Sequence, residues 1–408
     1  MHDKTKPMVK RTFELDPEST VPRVPHKRWR PRFILVYLSF LLLGAVALLM
    51  IAEVVIRLAV PDRYWRYYVA QDNWLPDPVL GWRNKPNLNF ARFDSEMIVI
   101  RTNDDGLQIA QSLPARSGSV LRVMLIGDST VFGGSVVEDA RLHHQLARNF
   151  AARGIRAEVL NAGVEGYSTD QCLLALESLV PRYRPQLVIH MVCANDFYGN
   201  DNMVNYGLPK PRFVEKEAGH FDFILPNMKN SLLAEDAKPW SLRSAVQKFA
   251  VYRMLRPAVN RIRAMSYWRS ERRLAQSDDM SPTPKMLDEA NWALFRELLS
   301  RMRAVCSANG AALVLTQHPS IGEIENNTQT KAPLEIGLTD AARACGVSFC
   351  PTIEALRQAR SRGPFYLLPR DAHCNGAGYK QIAACLDDLL RANHTPAHSN
   401  SQHLNGNE

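Results

Sequence analysis

The stretch Gly127-Asp128-Ser129-Thr130 places a nucleophile where an α/β protein can use one. It follows an apolar run, residues 120–126, that is typical of a buried strand, and a turn rich in small residues comes next. The carboxyl ends of parallel strands form the ligand-binding edge of an open α/β sheet. A serine there also lies near a helix amino terminus, whose N–H groups stabilise negative charge. Alone, the triplet equally fits a turn or a helix cap.

Three further polar blocks follow predicted strands or precede the last predicted helix. They are Asn161-Ala-Gly163-Val-Glu-Gly166, Ala194-Asn195-Asp196 and Asp371-Ala-His373-Cys-Asn375. In a doubly wound sheet these loops open on one edge, so residues far apart in the chain can converge. Each block has an ordinary explanation as a turn or a cap. Their occurrence together, in this order, predicts one site.

The chemistry that these residues fit is acyl transfer at a serine. The hydroxyl of Ser129 needs a base to take its proton, and His373 is the predicted base. Asp371, two residues earlier, would bind the other ring nitrogen and fix the tautomer. The oxyanion hole would comprise the backbone N–H groups of Ser129 and Gly163 and the side-chain amide of Asn195.

The remaining histidines lack a matching block. His190 lies within a predicted strand and is interpreted as structural. His318 comes just past a strand end and before a proline; it is also interpreted as structural, but it is the reserve candidate for the base. No Cys or His spacing indicates a metal site, and the chemistry requires no cofactor.

Strands that alternate with helices predict the frame for these blocks. From residue 119 the predicted strands are 120–126, 157–161, 186–192, 310–316 and 346–350. The predicted helices are about 137–153, 169–181, 287–308, 333–344, 352–359 and 376–392. This alternation predicts a three-layer α/β/α sandwich with about five parallel strands in the flavodoxin-like order 2-1-3-4-5.

Residues 197–286 interrupt this alternation and are too long for an ordinary connection. The part from Tyr198 to Pro226 is predicted to be a loop or hairpin, and that from Ser241 to Leu274 a basic amphipathic helix. The insertion would form a lid over the sheet edge, or the helix would be a solvated flank of the core. Contact of this helix with anionic lipid headgroups is a third interpretation.

An uncharged apolar run from Phe33 to Ala52 precedes all of this. About 20 apolar residues in a helix span the hydrocarbon core of a bilayer. A signal peptide would have a shorter apolar core and a small-residue cleavage site. Residues 1–32 carry nine Lys and Arg against four Asp and Glu, which predicts a cytoplasmic amino terminus. We therefore expect an uncleaved anchor in the inner (cytoplasmic) membrane and a periplasmic or otherwise extracytoplasmic catalytic domain.

The predicted organisation follows from these segments. It comprises a disordered cytoplasmic tail (1–32), a transmembrane helix (33–58), a juxtamembrane segment with short strands (59–118), the catalytic domain (119–392) and a disordered tail (393–408). All seven cysteines lie beyond the anchor, where Cys345 and Cys350 could pair with each other or with Cys306. The cysteines in apolar runs fit small buried hydrophobic residues equally well: Cys172, Cys193 and Cys385.

The four blocks resemble those of the SGNH/GDSL hydrolase family over about residues 119–392. In that family the serine, glycine, asparagine and histidine come from separate blocks, as Ser129, Gly163, Asn195 and His373 do. The resemblance implies an α/β/α fold and esterase, lipase, deacetylase or acyltransferase activity, often on acylated carbohydrates.

The chain departs from the family pattern at two positions. Family members often have an aspartate three residues before the histidine, whereas Asp371 is two before it. Cys193 stands where a glycine usually opens the third block. The Asp-x-His spacing is similar to that of membrane-anchored or periplasmic relatives that act in polysaccharide O-acetylation.

The leading hypothesis is a membrane-tethered serine esterase or deacylase acting on acyl esters, chiefly O-acetyl esters, of an extracellular or cell-wall glycan. The alternatives are an O-acyltransferase in polysaccharide modification and a non-catalytic glycan-binding scaffold. The expected partners are an acylated carbohydrate or other ester, the membrane and proteins of polysaccharide biosynthesis. Nucleic acid is not expected despite the net charge of +9, because the domain would lie outside the cell.

Overall fold

A computed structural model describes most of the chain between residues 31 and 394. The described ranges are 31–61, 73–93, 96–109, 120–217, 219–230, 249–252, 254–255, 282–325, 332–367 and 372–394. The chain divides at residue 54 into two compact units, which are described separately.

The first unit contains most of an apolar helix, α1 (Pro31–Ala59). Within it, Leu35–Ala59 is long and apolar enough to cross a membrane, with a mean hydropathy of 2.6. By length and composition this helix fits a membrane anchor or a signal sequence.

The second unit contains the remaining elements, which are named in chain order. The strands β1 to β14 are Trp74–Asp77, Gly81–Asn84, Asn89–Phe93, Met97–Arg101, Gln108–Ile109, Leu121–Ile126, Ala157–Asn161, Leu187–Val192, Val204–Asn205, Leu208–Pro209, Arg212–Glu217, His220–Ile224, Ala312–Gln317 and Ser348–Cys350. The helices α2 to α10 are Ser129–Phe132, Leu142–Ala152, Thr169–Tyr183, Ala194–Asn200, Glu289–Ala308, Ile321–Glu325, Pro333–Cys345, Ile353–Ala359 and Gly376–His394.

The central sheet has the order β14-β13-β8-β6-β7-β5. Its first five strands are mutually parallel, as the pairing of Val123 with both Val159 and Leu187 illustrates. Numbered along the chain, these strands follow the order 2-1-3-4-5, so the predicted flavodoxin-like arrangement is confirmed. The sixth strand, β5, was not predicted as part of this sheet; it pairs antiparallel with β7 and makes the sheet mixed.

Two apolar cores lie on the two faces of the sheet. Successive residues of β6 alternate between them: Met124 and Ile126 join the core with α4, α6 and α8, whereas Val123 and Leu125 join the core with α3, α9 and α10. This alternation follows from the two-residue period of a strand. Because both faces are covered by helices, β6 and β8 are mostly apolar, with Arg122 near the start of β6 and the buried His190 within β8 as the exceptions. The three-layer prediction is thereby confirmed.

Helix boundaries follow local capping chemistry. The Asp288 side chain accepts a hydrogen bond from Asn291 N at the start of α6, and Gly346 ends α8 with φ 63°. The predicted helix 137–153 begins later, at Leu142, after a short 3-10 turn. The reason is that Arg141 has an extended backbone (φ −68°, ψ 155°), which sends its guanidinium into the interior.

Arg141 joins the strands before the sheet to the turn after Ser129. It is 1% exposed, and its guanidinium donates to Gly133 O, Gln108 Oε1 and Val99 O. Two antiparallel hairpins, β1–β2 and β3–β4, precede β5 in this region. Through Arg141, strands β4 and β5 are therefore bonded to the turn that follows the helix with the predicted nucleophile.

The insertion is described only in part. Its first portion forms two hairpins, β9–β10 and β11–β12. The basic helix predicted from Ser241 to Leu274 lies outside the described residues, apart from 249–252 and 254–255. The disordered tails predicted at 1–32 and 393–408 also fall largely or wholly outside them. All seven cysteines are described, and each is a free thiol.

Candidate active site

The site begins where β6 ends. Asp128 is the N-cap of α2, and its Oδ1 accepts from Thr130 N at 2.8 Å. Ser129 is therefore the first residue of a short helix at the carboxyl edge of the sheet. Its Oγ lies 2.7 Å from His373 Nε2, although 244 positions separate the two residues. The structure thus brings the predicted nucleophile and the predicted base into hydrogen-bonding contact.

The position of His373 is set by bonds on both sides of it. Leu367 N donates to His373 O at 2.9 Å, so the segment before α10 folds back on the histidine. Within α10, the Tyr379 hydroxyl donates to Thr130 O at 2.8 Å, which ties this helix to the helix that carries Ser129. The side chains of the predicted nucleophile and base are therefore held by elements bonded to each other.

His318, the reserve base, lies beside the site without contacting Ser129. Its ring centroid is 6.4 Å from that of His373, and its Nε2 accepts from Cys374 N at 3.1 Å. It is 1% exposed and packs edge-on against Tyr366. His318 therefore supports the backbone next to His373, in agreement with its structural interpretation.

Asp128 is a buried acceptor for several side chains. Its Oδ1 accepts from the Thr130 hydroxyl, and its Oδ2 accepts from Asn195 Nδ2 at 3.0 Å and lies 3.2 Å from Cys193 Sγ. Burial raises the pKa of this carboxyl, but the hydrogen bonds from Thr130 and Asn195 outweigh burial and lower the pKa below its ordinary value of 3.8. Asp128 is thus a carboxylate at neutral pH.

Two predicted oxyanion donors lie after β7 and β8, at the same edge as Ser129. Asn195 is half-buried in the first turn of α5, with Nδ2 bonded to Asp128. Gly163 N donates to Asn161 Oδ1 at 2.9 Å, so this N–H already has an acceptor. An amide nitrogen carries two hydrogens, and Asn195 therefore keeps one for a substrate.

Only glycine fits at position 163. A Cβ there would lie 2.5 Å from Phe132 N and 2.9 Å from the Val131 carbonyl carbon. The loop after β7 thus packs directly on the backbone of α2. Asn161 strengthens this contact, because its Nδ2 donates to Val131 O at 2.7 Å.

Asp371, the predicted third member of the triad, lies outside the described residues. Cys193, at the position where the family usually has glycine, is fully buried. Besides Asp128, its thiol contacts Asn195 Oδ1. Burial raises the pKa of this thiol well above its ordinary value, so it remains a hydrogen-bond donor.

A small cleft, with about 10 Å³ open to the centre of a water-sized sphere, lies beside Ser129 and His373. Gly134, Ser135 and Glu165 are among the residues that line it. The sequence analysis did not single out Glu165 as a site residue. The sequence signal that could have identified Glu165 is its position in the second block, between Gly163 and Gly166. This block lies at the edge of the sheet where Ser129 also lies.

Three or more metal-ligating side chains do not converge anywhere in the part of the chain that the structure describes. The hydroxyl of Ser129, the imidazole of His373 and the amide of Asn195 are the kinds of group that nucleophilic acyl transfer requires.

A family model described as GDSL-like lipase/acylhydrolase matches residues 125–381, which is more than half of the chain and includes every predicted site residue. The chain belongs to this family. Membership in the GDSL family confirms the resemblance drawn from the four blocks and assigns the chain to the acyl hydrolases. A search of curated protein sequences finds no match.

Several solved structures are distantly similar. The lipase/acylhydrolase from Enterococcus faecalis is 17% identical, with 68% of this chain and 100% of that chain covered and a TM-score of 0.35. An acetyl xylan esterase is 12% identical, with 66% and 100% covered and a TM-score of 0.38. A two-domain esterase active on acetylated mannans is 12% identical, with 71% and 54% covered and a TM-score of 0.38.

Proposed function

We propose that this GDSL-family protein is a serine esterase in which Ser129 is the nucleophile and His373 the general base. The observation that carries the proposal is the 2.7 Å contact between Ser129 Oγ and His373 Nε2. A general base must lie within about 2.6–3.2 Å of the group whose proton it takes, and this pair does.

In the first half-reaction, the Ser129 hydroxyl proton passes to His373 Nε2 while Oγ bonds to the ester carbonyl carbon. The carbonyl oxygen becomes an oxyanion. Collapse of this intermediate breaks the bond to the alcohol oxygen, which leaves with the proton from Nε2. In the second half-reaction, water gives a proton to Nε2 while its oxygen bonds to the acyl carbon. Collapse then breaks the bond from this carbon to Ser129 Oγ, the Nε2 proton returns to Oγ, and the carboxylic acid leaves.

The oxyanion would receive hydrogen bonds from the Ser129 N–H and the remaining Asn195 Nδ2 hydrogen. The Gly163 N–H would be shared between the oxyanion and Asn161 Oδ1, its present acceptor. Such donors act strongly because they are fixed before the charge develops. Asp371 would orient His373 through the other ring nitrogen, which is a proposal from the sequence alone.

The cleft beside Ser129 and His373 is small, with only about 10 Å³ open to the centre of a water-sized sphere, and we therefore propose a short acyl group. We propose an O-acetyl ester of an extracellular or cell-wall glycan as the substrate. The apolar helix α1 would anchor the enzyme in the inner membrane, with the amino terminus in the cytoplasm and the catalytic domain outside.

The decisive experiment uses the full chain in detergent micelles. The wild type should hydrolyse p-nitrophenyl acetate and take a fluorophosphonate label on Ser129, whereas Ser129→Ala should do neither. Ser135→Ala is the matched control, because this serine lines the same cleft whereas the 2.7 Å contact with His373 Nε2 is made by Ser129. If the wild type is neither labelled nor active, the esterase proposal fails and the non-catalytic glycan-binding scaffold becomes the favoured alternative.

Two further measurements test the finer parts of the proposal. Offering acetylated glycan with water and a sugar acceptor together would identify a transferase by the formation of a new sugar ester. For topology, an alkaline-phosphatase fusion after residue 70 should be active. An inactive fusion would reverse the proposed orientation.

A further inference from the structure

Tyr206 is an exposed aromatic side chain held next to the loop that follows β7 and contains Gly163, Glu165 and Gly166. We call this segment the catalytic loop. It occupies the turn of the β9–β10 hairpin and is 54% exposed. Its ring lies over Gly166, where an added Cβ would be only 2.5 Å from Tyr206 Cε2. The hairpin is also bonded to this glycine, because Asn205 Nδ2 donates to Gly166 O at 2.7 Å. Gly166 directly follows Glu165, which lines the cleft with Ser129.

The backbone at Tyr206 is in a conformation that tyrosine disfavours. Tyr206 has φ 52° and Gly207 has φ 73°, as the two central residues of a type I′ turn require. Asparagine is the residue that usually fills the first of these positions, since it tolerates the left-handed region. A tyrosine there is strained, and strain of this kind is concentrated at binding and catalytic sites.

The base of the hairpin is fixed by a buried cation. Lys210, which follows β10 directly, is fully buried, and its ammonium binds the buried carboxylate of Asp170. The same ammonium donates to Gly199 O and Pro211 O at 3.0 and 2.9 Å. A charge pair withdrawn from water must have such partners, and it holds its elements in one arrangement. The Tyr206 ring is therefore presented on a rigid support.

The other side of the loop is fixed as well. Trp82 Nε1 donates to Glu165 O at 3.1 Å, and Trp74 packs between Trp82 and Tyr206, with ring centroids 5.4 and 6.0 Å away. Glu165 and Tyr206 thus lie on adjoining, well-supported backbone. One supplies a carboxylate in the cleft and the other an aromatic surface outside it.

We propose that Tyr206 and Glu165 form a subsite for the sugar ring that carries the ester, an inference that rests on the esterase function proposed above. A pyranose has a face of C–H bonds that packs on an aromatic ring, and hydroxyl groups that donate to a carboxylate. A long acyl chain would not use the carboxylate. Among ester substrates, a sugar ester matches both groups at once.

The test compares substrates with and without a sugar, using the full chain in detergent micelles. For each variant, kcat/KM is measured on acetylated xylo- and manno-oligosaccharides and on ethyl acetate. The readout is the ratio of kcat/KM on the oligosaccharides to kcat/KM on ethyl acetate. Tyr206→Asn removes the ring but suits the turn, so folding is preserved; a melting temperature checks this. We expect its ratio to fall about tenfold, through KM, the size expected for one lost aromatic contact. Tyr206→Phe, which keeps the ring, should restore the ratio to within about threefold of the wild type.

Phe223→Asn is the matched control. Phe223 is an exposed aromatic (44%) of the neighbouring β11–β12 hairpin, and it packs against Phe213. Its ratio should equal that of the wild type. An unchanged ratio in Tyr206→Asn, or an equal loss in Tyr206→Phe, overturns the sugar subsite. A wild type that hydrolyses ethyl acetate but no acetylated oligosaccharide also overturns it and leaves the esterase intact. Failure on every ester, with no label on Ser129, would refute the esterase itself.

Discussion

The side-chain amide of Asn195 is held by the buried carboxylate of Asp128, with 3.0 Å between Nδ2 and Oδ2. The aspartate of the Gly-Asp-Ser motif therefore acts on two parts of the site. It caps the helix that presents Ser129, and it orients an amide that follows a different strand. The thiol of Cys193 contacts the amide oxygen, so both ends of the amide have a partner of the correct polarity.

This relationship predicts the effects of two substitutions. Asn195→Ala should lower kcat by about 10² to 10³ with little change in KM, the usual effect of losing one oxyanion donor. Asp128→Asn should lower kcat as well, because the new amide can turn a donor toward Asn195. Steady-state kinetics on p-nitrophenyl acetate measure both. Equal kcat in Asn195→Ala and the wild type would remove this residue from the oxyanion hole.

Cys193 is expected to position Asn195 through its thiol hydrogen. Cys193→Ser keeps a donor of similar size and should retain kcat within about threefold, whereas Cys193→Ala, which has no donor, should lose about tenfold. The KM of both variants should stay close to that of the wild type, since the thiol does not line the cleft. Equal kinetics in the two variants would show that the thiol only fills space.

Gly163→Ala is expected to disrupt the site, because its Cβ would collide with the backbone of α2. Activity should be lost and the melting temperature should fall. Gly154→Ala is the matched control: it has φ 71° but no neighbour within 4 Å of an added Cβ, so it should cost only about 1 kcal/mol and retain activity. Assays and thermal unfolding of the two variants test this. Comparable activity in both would show that α2 can shift to make room.

Acid should destabilise the protein through His190. Burial in β8 lowers the pKa of this imidazole from 6.5 to about 4. Between these pH values the unfolded chain binds the proton and the folded chain does not. Stability is therefore complete above pH 6.5 and falls as the pH drops toward 4, by about 3 kcal/mol in all.

His190→Leu should remove this part of the pH dependence, since leucine does not titrate and suits the apolar surroundings. Urea unfolding at several pH values between 4 and 7 measures the effect. An unchanged profile in His190→Leu would contradict the burial argument.

Asp371 can be tested without its coordinates. If it orients His373 as the third member of a triad, Asp371→Ala should lose about 10⁴ in kcat, close to the loss in His373→Ala. If Ser129 and His373 act as a dyad, Asp371→Ala should lose far less than His373→Ala. Kinetics of the two variants with one substrate decide between these cases.

The sheet and the reacting pair could be predicted because their signals are local. β6 and β8 are mostly apolar runs followed by the blocks with Ser129 and Asn195, and the blocks with Ser129, Gly163, Asn195 and His373 occur in the order of a known family. The contacts around them could not be predicted in this way. Arg141 falls within a predicted helix, whereas in the structure it precedes the helix. Its guanidinium bonds to Val99 O and Gln108 Oε1 join groups that meet only in the folded chain.

The same limit applies to the loop beside the cleft. Trp82 bonds to Glu165 across 83 positions, and hydropathy periodicity carries no information on such a pair. The antiparallel strand β5 has only two residues, too few for an alternating pattern to be visible. Trp74, which follows the apolar helix in the sequence, is 2% exposed and packs in the core, a placement that hydropathy alone does not predict.

If α1 is the membrane anchor proposed above, the bond from Trp82 to Glu165 has a consequence for proteolytic release of the domain that follows it. A protease that cut on the amino side of Asn73 would release an enzyme with its catalytic loop still supported. A cut between Asp105 and Leu121 would instead separate Trp82, and the wall behind Glu165, from the released fragment. The site of cleavage would therefore decide whether shedding produces a diffusible enzyme or ends its activity.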